Sequence, residues 1–169
     1  MNSKKKGNSF EREISKKLSL WFSNKERDDL FWRSQNSGGR FTSRKKIGKN
    51  TKNQSGDITS TDSRGEIFIN MFSIECKSYK QVDKWDLFLF KGLIKEWWEK
   101  LKYESEDKNC LLIIKENRKP IIIISCLKIM NILQMTPMIV FGDSLELGVY
   151  SFDKFIKEVD PNIIEKMEK

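Results

Sequence analysis

The chain has 169 residues, of which 32 are Lys or Arg and 24 are Asp or Glu, giving a formal net charge of +8, and it contains no histidine. That length suits one domain with a proper buried core, and 11 Phe, 5 Trp and 3 Tyr argue against disorder. The missing histidine excludes Ser-His-Asp and Cys-His nucleophile pairs, a histidine general base, an HExxH zinc site and histidine-dependent zinc fingers. Any catalysis must therefore run on carboxylates, lysine, arginine, tyrosine or a bound metal.

Asn8 or Ser9 is placed to cap a helix over residues 10–23, with Glu11 and Glu13 in its first turn. Phe31-Trp32-Arg33 reads as a short strand. Residues 38–56 are polar and basic, carrying Arg40, Arg44, Lys45, Lys46, Lys49 and Lys52, and read as a mobile loop inside one domain. Strands are expected over residues 57–61 and 66–77, around a turn at Asp62-Ser63-Arg64-Gly65 and with a bend near Asn70. Leu87, Phe90, Ile94, Trp97, Trp98 and Leu101 recur at helical spacing and predict a helix over residues 85–104. Its aromatics read more readily as core than as a base-stacking platform.

Residues 110–115 and 120–125 are apolar enough for buried strands, and 127–133 suits a short helix. Residues 138–141 and 147–150 follow as strands, and 152–159 and 162–169 as closing helices. The order predicts a mixed α/β or α+β fold in one domain over residues 1–169. Cys76, Cys110 and Cys126 lie far apart without a CxxC, which reads as reduced thiols in an intracellular protein. No run approaches the roughly 18 apolar residues of a membrane span, so the expectation is a cytoplasmic protein with no membrane partner.

The charge is uneven. Residues 1–54 hold 15 Lys and Arg against 5 Asp and Glu, while the remainder holds 17 against 19. A polyanion-binding face accounts for this asymmetry, because phosphate contacts release counterions and steer association. By charge alone, a solubilising surface accounts for it equally well.

Glu11, Asp57, Glu75 and Lys77 stand out together. In a strand, Glu75 and Lys77 share one face, about 6.6 Å apart, while Phe72, Ile74 and Cys76 take the opposite, apolar face. Asp57 follows Gly56, where the lack of a Cβ leaves room for a ligand. Two carboxylates at strand ends offer hard oxygen ligands suited to Mg²⁺, with Mn²⁺ a substitute, and a metal held there lowers the pKa of bound water. Lys77 is placed to orient water or stabilise developing negative charge. At about 100° per residue, Glu11 falls within about 20° of Leu18 and Phe22, inside the apolar stripe, whereas Glu13 points nearly opposite. A core-facing carboxylate needs a partner or a metal, although stabilising the helix N-terminus is an alternative role for Glu11. Separately, an E-x-K triplet is often a solvated strand edge and a Gly-Asp pair is usually a turn; their order and separation are more specific.

With these residues the chain resembles the PD-(D/E)XK nuclease superfamily, and its N-terminal half resembles archaeal-type Holliday-junction resolvases and related phage endonucleases. The matching stretches are Lys6 to Glu13, Phe31-Trp32-Arg33-Ser34 with Ser37-Gly38-Gly39, Gly56-Asp57-Ile58, and Ile74-Glu75-Cys76-Lys77-Ser78. The resemblance implies a restriction-endonuclease-like central mixed sheet flanked by helices. It also implies metal ligation by Asp57 and Glu75, Glu11 as a further acidic residue, and Lys77 acting on the nucleophile or transition state. Arg12 and Arg33 match basic positions near DNA. The usual proline before the aspartate is Gly56 here, the 38–55 segment is longer and more basic than in compact resolvases, and the chain from Lys108 onward adds elements that short resolvases lack.

The expectation is a Mg²⁺-dependent DNA endonuclease acting on branched DNA, with a homodimer as a candidate assembly and the basic loop gripping the phosphate backbone. Two rivals are a restriction- or repair-type nuclease on linear duplex or single strands, and a non-catalytic DNA-binding protein of the same fold. Intact Glu11, Asp57, Glu75 and Lys77 count against the second.

Overall fold

The apolar run Cys110-Leu111-Leu112-Ile113-Ile114 has no polar interruption, as expected of a strand covered on both faces. In the computed structural model, which describes residues 3–34, 56–141 and 146–167, it is the second strand of a five-stranded mixed sheet. The elements in chain order are α1 (Ser3–Phe22), β1 (Phe31–Arg33), β2 (Ile58–Ser60), α2 (Ser63–Met71), β3 (Phe72–Tyr79), α3 (Lys84–Phe88) and α4 (Gly92–Glu104). They continue with β4 (Asn109–Glu116), β5 (Ile122–Cys126), α5 (Leu127–Ile132), β6 (Ile139–Phe141), β7 (Leu147–Ser151), α6 (Phe152–Glu158) and α7 (Pro161–Met167).

The sheet order is β3-β4-β5-β7-β6. β3 and β4 pair in parallel, and β4–β5, β5–β7 and β6–β7 pair antiparallel. β1 and β2 form a separate antiparallel pair that aligns Arg33 with Ile58. The chain after Lys108 thus supplies four of the five sheet strands.

Alternation along β4 splits the core into two layers. Leu111 and Ile113 join Ile74, Ile123 and Tyr150 beneath Phe10, Ile14, Leu18 and Phe22 of α1 and Phe68 of α2. Leu112 and Ile114 join Ile124 and Val149 beneath Ile94, Trp97, Trp98 and Leu101 of α4. Each such side chain contributes roughly 1.5–3 kcal/mol on burial, so the sheet is held from both sides. Trp97 and Trp98 are core residues, as expected. The three cysteines are free thiols. No helix among the described residues is long and apolar enough to cross a membrane.

Three local expectations need correction. The first helix starts at Ser3, so Asn8 and Ser9 lie inside it and do not cap it. Residues 66–71 are helical rather than extended: Asp62 caps α2 by accepting from the amides of Arg64 and Gly65, and Glu66 lies in the first turn. The β-branched and aromatic run Ile67-Phe68-Ile69 mimics a strand, but capping and the burial of Phe68 and Ile69 on one helix face decide the outcome. Gly65 makes this packing feasible, since a Cβ there would fall 2.6 Å from Ser60 Oγ and 3.0 Å from the Leu30 carbonyl oxygen.

Finally, the single helix expected over residues 85–104 is two helices, α3 and α4. The break lies at Phe90, which adopts φ 46° and is drawn into the second core layer, its ring centroid 4.9 Å from that of Phe141.

Candidate active site

Asp57 lies against the free edge of β3. Its amide donates to the Ile74 carbonyl at 2.7 Å, and its Oδ2 accepts from the Cys76 amide at 2.8 Å. Gly56 makes this approach feasible, since it adopts φ +95° and a Cβ there would fall 2.7 Å from the Ile74 carbonyl oxygen. Proline, locked near φ −65°, cannot take that conformation. The carbonyl of Asp57 accepts from the Ser34 amide at 2.7 Å, tying the β1–β2 pair to the same edge.

Glu75 and Lys77 share the β3 face covered by α4, so the face opposite Ile74 and Cys76 is enclosed as well. Glu75 is buried and Lys77 is half-buried. Lys77 Nζ donates to Glu75 Oε1, and Lys100 Nζ of α4 lies 3.8 Å from the same oxygen. Burial works to strip the proton from Lys77, but the charge and hydrogen bond of Glu75 and the charge of Asp57 outweigh it, holding the ammonium above its ordinary value. Lys77 is therefore a positive charge beside the two carboxyl groups.

Asp57 behaves in the opposite way. Burial, then repulsion from Glu75 and Glu11, pushes its carboxyl up to about 7, against the opposing effects of the Cys76 amide and Lys77. The Cys76 thiol is driven well above its ordinary value by burial and the neighbouring carboxylates, which leaves it inert.

Glu11 is buried in the apolar stripe of α1, as its helical position predicts. Its Oε2 accepts from Arg33 Nε at 2.9 Å, and Arg33 Nη2 donates to Asn8 Oδ1 at 3.1 Å. Arg33 is thus engaged with the acidic cluster, whereas Arg12 is exposed on α1. Glu13, expected to face solvent, is half-buried and accepts from Lys115 Nζ at 2.6 Å. Arg40, Arg44, Lys45, Lys46, Lys49 and Lys52 lie outside the described residues.

The donor set suits a hard divalent cation. Asp57, Glu75 and Glu11 offer only carboxylate oxygens, and the ionisation of Asp57 is opposed by charge that a dication relieves. Among the described residues no group of three potential ligands stands close enough to enclose a metal. Glu75 is drawn towards Lys77 and Lys100, and Glu11 towards Arg33.

Sequence reasoning did not find Lys100 or Asn8 as site residues. Lys100 is one charge among many on a helix whose apolar stripe dominates its pattern, and its meeting with Glu75 depends on how α4 crosses β3. Asn8 resembled a helix cap because it precedes the first apolar residues. The serine spacing 15, 19, 23 also carried a signal. Each hydroxyl donates to the carbonyl four residues back, and Ser19 Oγ accepts from the Phe31 amide at 2.9 Å, which docks β1 on α1.

A family model described as "Phage putative PDDEXK endonuclease" matches residues 2–166. No curated protein and no solved structure matches the chain.

Proposed function

The chain belongs to the phage PDDEXK endonuclease family, its five-stranded mixed sheet flanked by helices being a restriction-endonuclease-like fold, and from that premise we propose that it is a DNA endonuclease dependent on Mg²⁺, with Mn²⁺ able to substitute. The observation that carries this reading is the docking of Asp57 onto the Cys76 amide, which brings its carboxylate beside Glu75 and Lys77. Asp57 and Glu75 would hold the ion, with Glu11 as the further acidic residue. A bound dication supplies Lewis-acid stabilisation of phosphoryl charge and a lowered pKa for water.

The protein's own groups do the remaining work. Lys77, held as an ammonium, donates to the oxygen that gains charge as the phosphodiester is attacked. Arg33, fixed by Glu11 and Asn8, sets positive charge beside the acidic cluster. Arg12 and the basic residues Arg40, Arg44, Lys45, Lys46, Lys49 and Lys52 contact DNA phosphates and fix register. The family match over residues 2–166 supports treating the chain as one nuclease unit. Branched DNA as the substrate, and action as a homodimer in the manner of a Holliday-junction resolvase, extend the same reading.

The test incubates the protein with a four-way junction, a linear duplex and single-stranded DNA, each with Mg²⁺ or EDTA, beside Asp57→Asn. Metal-dependent cutting by the wild type alone is expected. Equal cutting in EDTA or by Asp57→Asn overturns the mechanism, and linear duplex cut without junction preference removes the resolvase reading alone.

A further inference from the structure

The short helix α3 turns its apolar stripe outward. Trp85, Phe88 and Leu89 stand at i, i+3 and i+4, a spacing that usually faces a core, yet they are 69%, 56% and 61% exposed. Leu93, at the start of α4, is exposed beside them in sequence. The opposite side anchors the segment: Val82 and Leu87 pack on the second core layer and Phe90 is buried in it. The elbow between α3 and α4 is tight. The Lys91 amide donates to the Asp86 carbonyl at 3.0 Å, and a Cβ on Gly92 would fall 2.2 Å from Asp86 Oδ2. The aromatic surface is therefore preorganised rather than loosely held.

Its position and charge indicate what it meets. Four residues separate α3 from Tyr79, the last residue of the strand carrying Glu75 and Lys77. From Lys77 to Trp85 the chain spans at most about 28 Å. Tyr79 is itself 38% exposed, its ring tilted against that of buried Trp97 with centroids 4.7 Å apart. Lys80, Lys84 and Lys91 are exposed in the same stretch of chain and form no ion pair among the described residues; Asp83, which caps α3, and Asp86 offset part of this charge and leave the stretch net positive. An exposed aromatic face in a net-positive stretch complements a nucleic acid whose bases are exposed.

We propose that the Trp85–Phe88 surface stacks on unpaired bases of the DNA substrate, so that the enzyme favours DNA containing unpaired nucleotides near the scissile phosphate. This rests on the nuclease reading above. The test measures, by fluorescence anisotropy in EDTA, affinity for a duplex with a single-stranded flap and for a blunt duplex of equal length. In the double variant Trp85→Ala/Phe88→Ala, the ratio of flap to duplex affinity is expected to fall by about tenfold or more, as loss of base–aromatic stacking predicts.

Trp85→Phe should keep most of that ratio and Trp85→Leu should lose it, which separates stacking from plain hydrophobicity and decides the matter if the double variant does not fold. An unchanged ratio, or equal behaviour of Trp85→Phe and Trp85→Leu, overturns the proposal. So does a dimer, seen by light scattering in the wild type, that dissociates in the double variant. Because binding is read without metal, failure of the wild type to cut any DNA would refute the nuclease reading separately, while an unmoved ratio in an active enzyme would refute this surface alone.

Discussion

The carboxylate of Asp57 accepts a 2.8 Å hydrogen bond from the backbone amide of Cys76, the residue between Glu75 and Lys77. That bond joins two stretches that are 19 residues apart in the chain. It places one buried acid against a strand that carries a second buried acid, Glu75, and a half-buried lysine, Lys77, on either side of Cys76.

Asp57→Asn should keep the Cys76 hydrogen bond, because the amide oxygen still accepts, and remove the charge. Cleavage in Mg²⁺ should fall by about a hundredfold or more, with the far-ultraviolet dichroism unchanged. Lys77→Met, which keeps the stem and removes the charge, should cost about 10²–10³-fold in turnover with a smaller change in DNA affinity. Turnover within a few-fold of wild type in either variant would contradict the assignment.

The metal-free protein should lose stability as pH rises through neutrality. Asp57 titrates at about 7 in the fold against an ordinary value of 3.8, so the folded chain holds a proton that the unfolded chain releases. That contribution is complete below about 3.8 and is lost as pH rises through about 7. With no histidine in the chain, few other groups titrate in that window. The thermal midpoint should drop between pH 6 and pH 8, the drop should shrink in Asp57→Asn, and Mg²⁺ should offset it at pH 8. A wild-type midpoint that rises over this range would be incompatible with a proton on buried Asp57.

Gly56→Ala should destabilise by about 1–3 kcal/mol from the positive φ alone, with a further cost from the contact with the Ile74 carbonyl. Because the strain falls on the residue before Asp57, cleavage should drop more than stability does. Denaturant midpoints and turnover on the same preparations check both.

Arg33→Ala strands the buried carboxylate of Glu11, and a loss of about 1–3 kcal/mol follows from leaving a largely desolvated acceptor without its partner. Arg33→Lys should recover little, since a single ammonium nitrogen cannot occupy both the Nε and Nη2 positions from which Arg33 donates to Glu11 and Asn8. The double variant Arg33→Ala/Glu11→Gln should be more stable than Arg33→Ala alone. Urea titrations of the wild type, Arg33→Ala, Glu11→Gln and the double variant give the coupling between the pair.

Much of the molecule could be read from local pattern. The strand Phe31–Arg33, the apolar run within β4 and the α1 stripe that encloses Glu11 follow from periodicity and burial, because each signal is contained in a few consecutive residues. That Glu75 and Lys77 share one face of β3 was also visible, because spacing along a strand sets which side chains point the same way.

What the local pattern could not supply was the pairing of distant pieces. Residues 66–71 look extended until a cap at Asp62 and a helix face at Phe68 find partners, and the stripe from Leu87 to Leu101 looks like one helix until the positive φ at Phe90 breaks it in two. The meeting of Lys100 with Glu75, and of Arg33 with Glu11 and Asn8, depends on how α4 crosses β3 and β1 docks on α1. Those contacts arise from the summed packing of two core layers, and no short window of residues encodes such a sum.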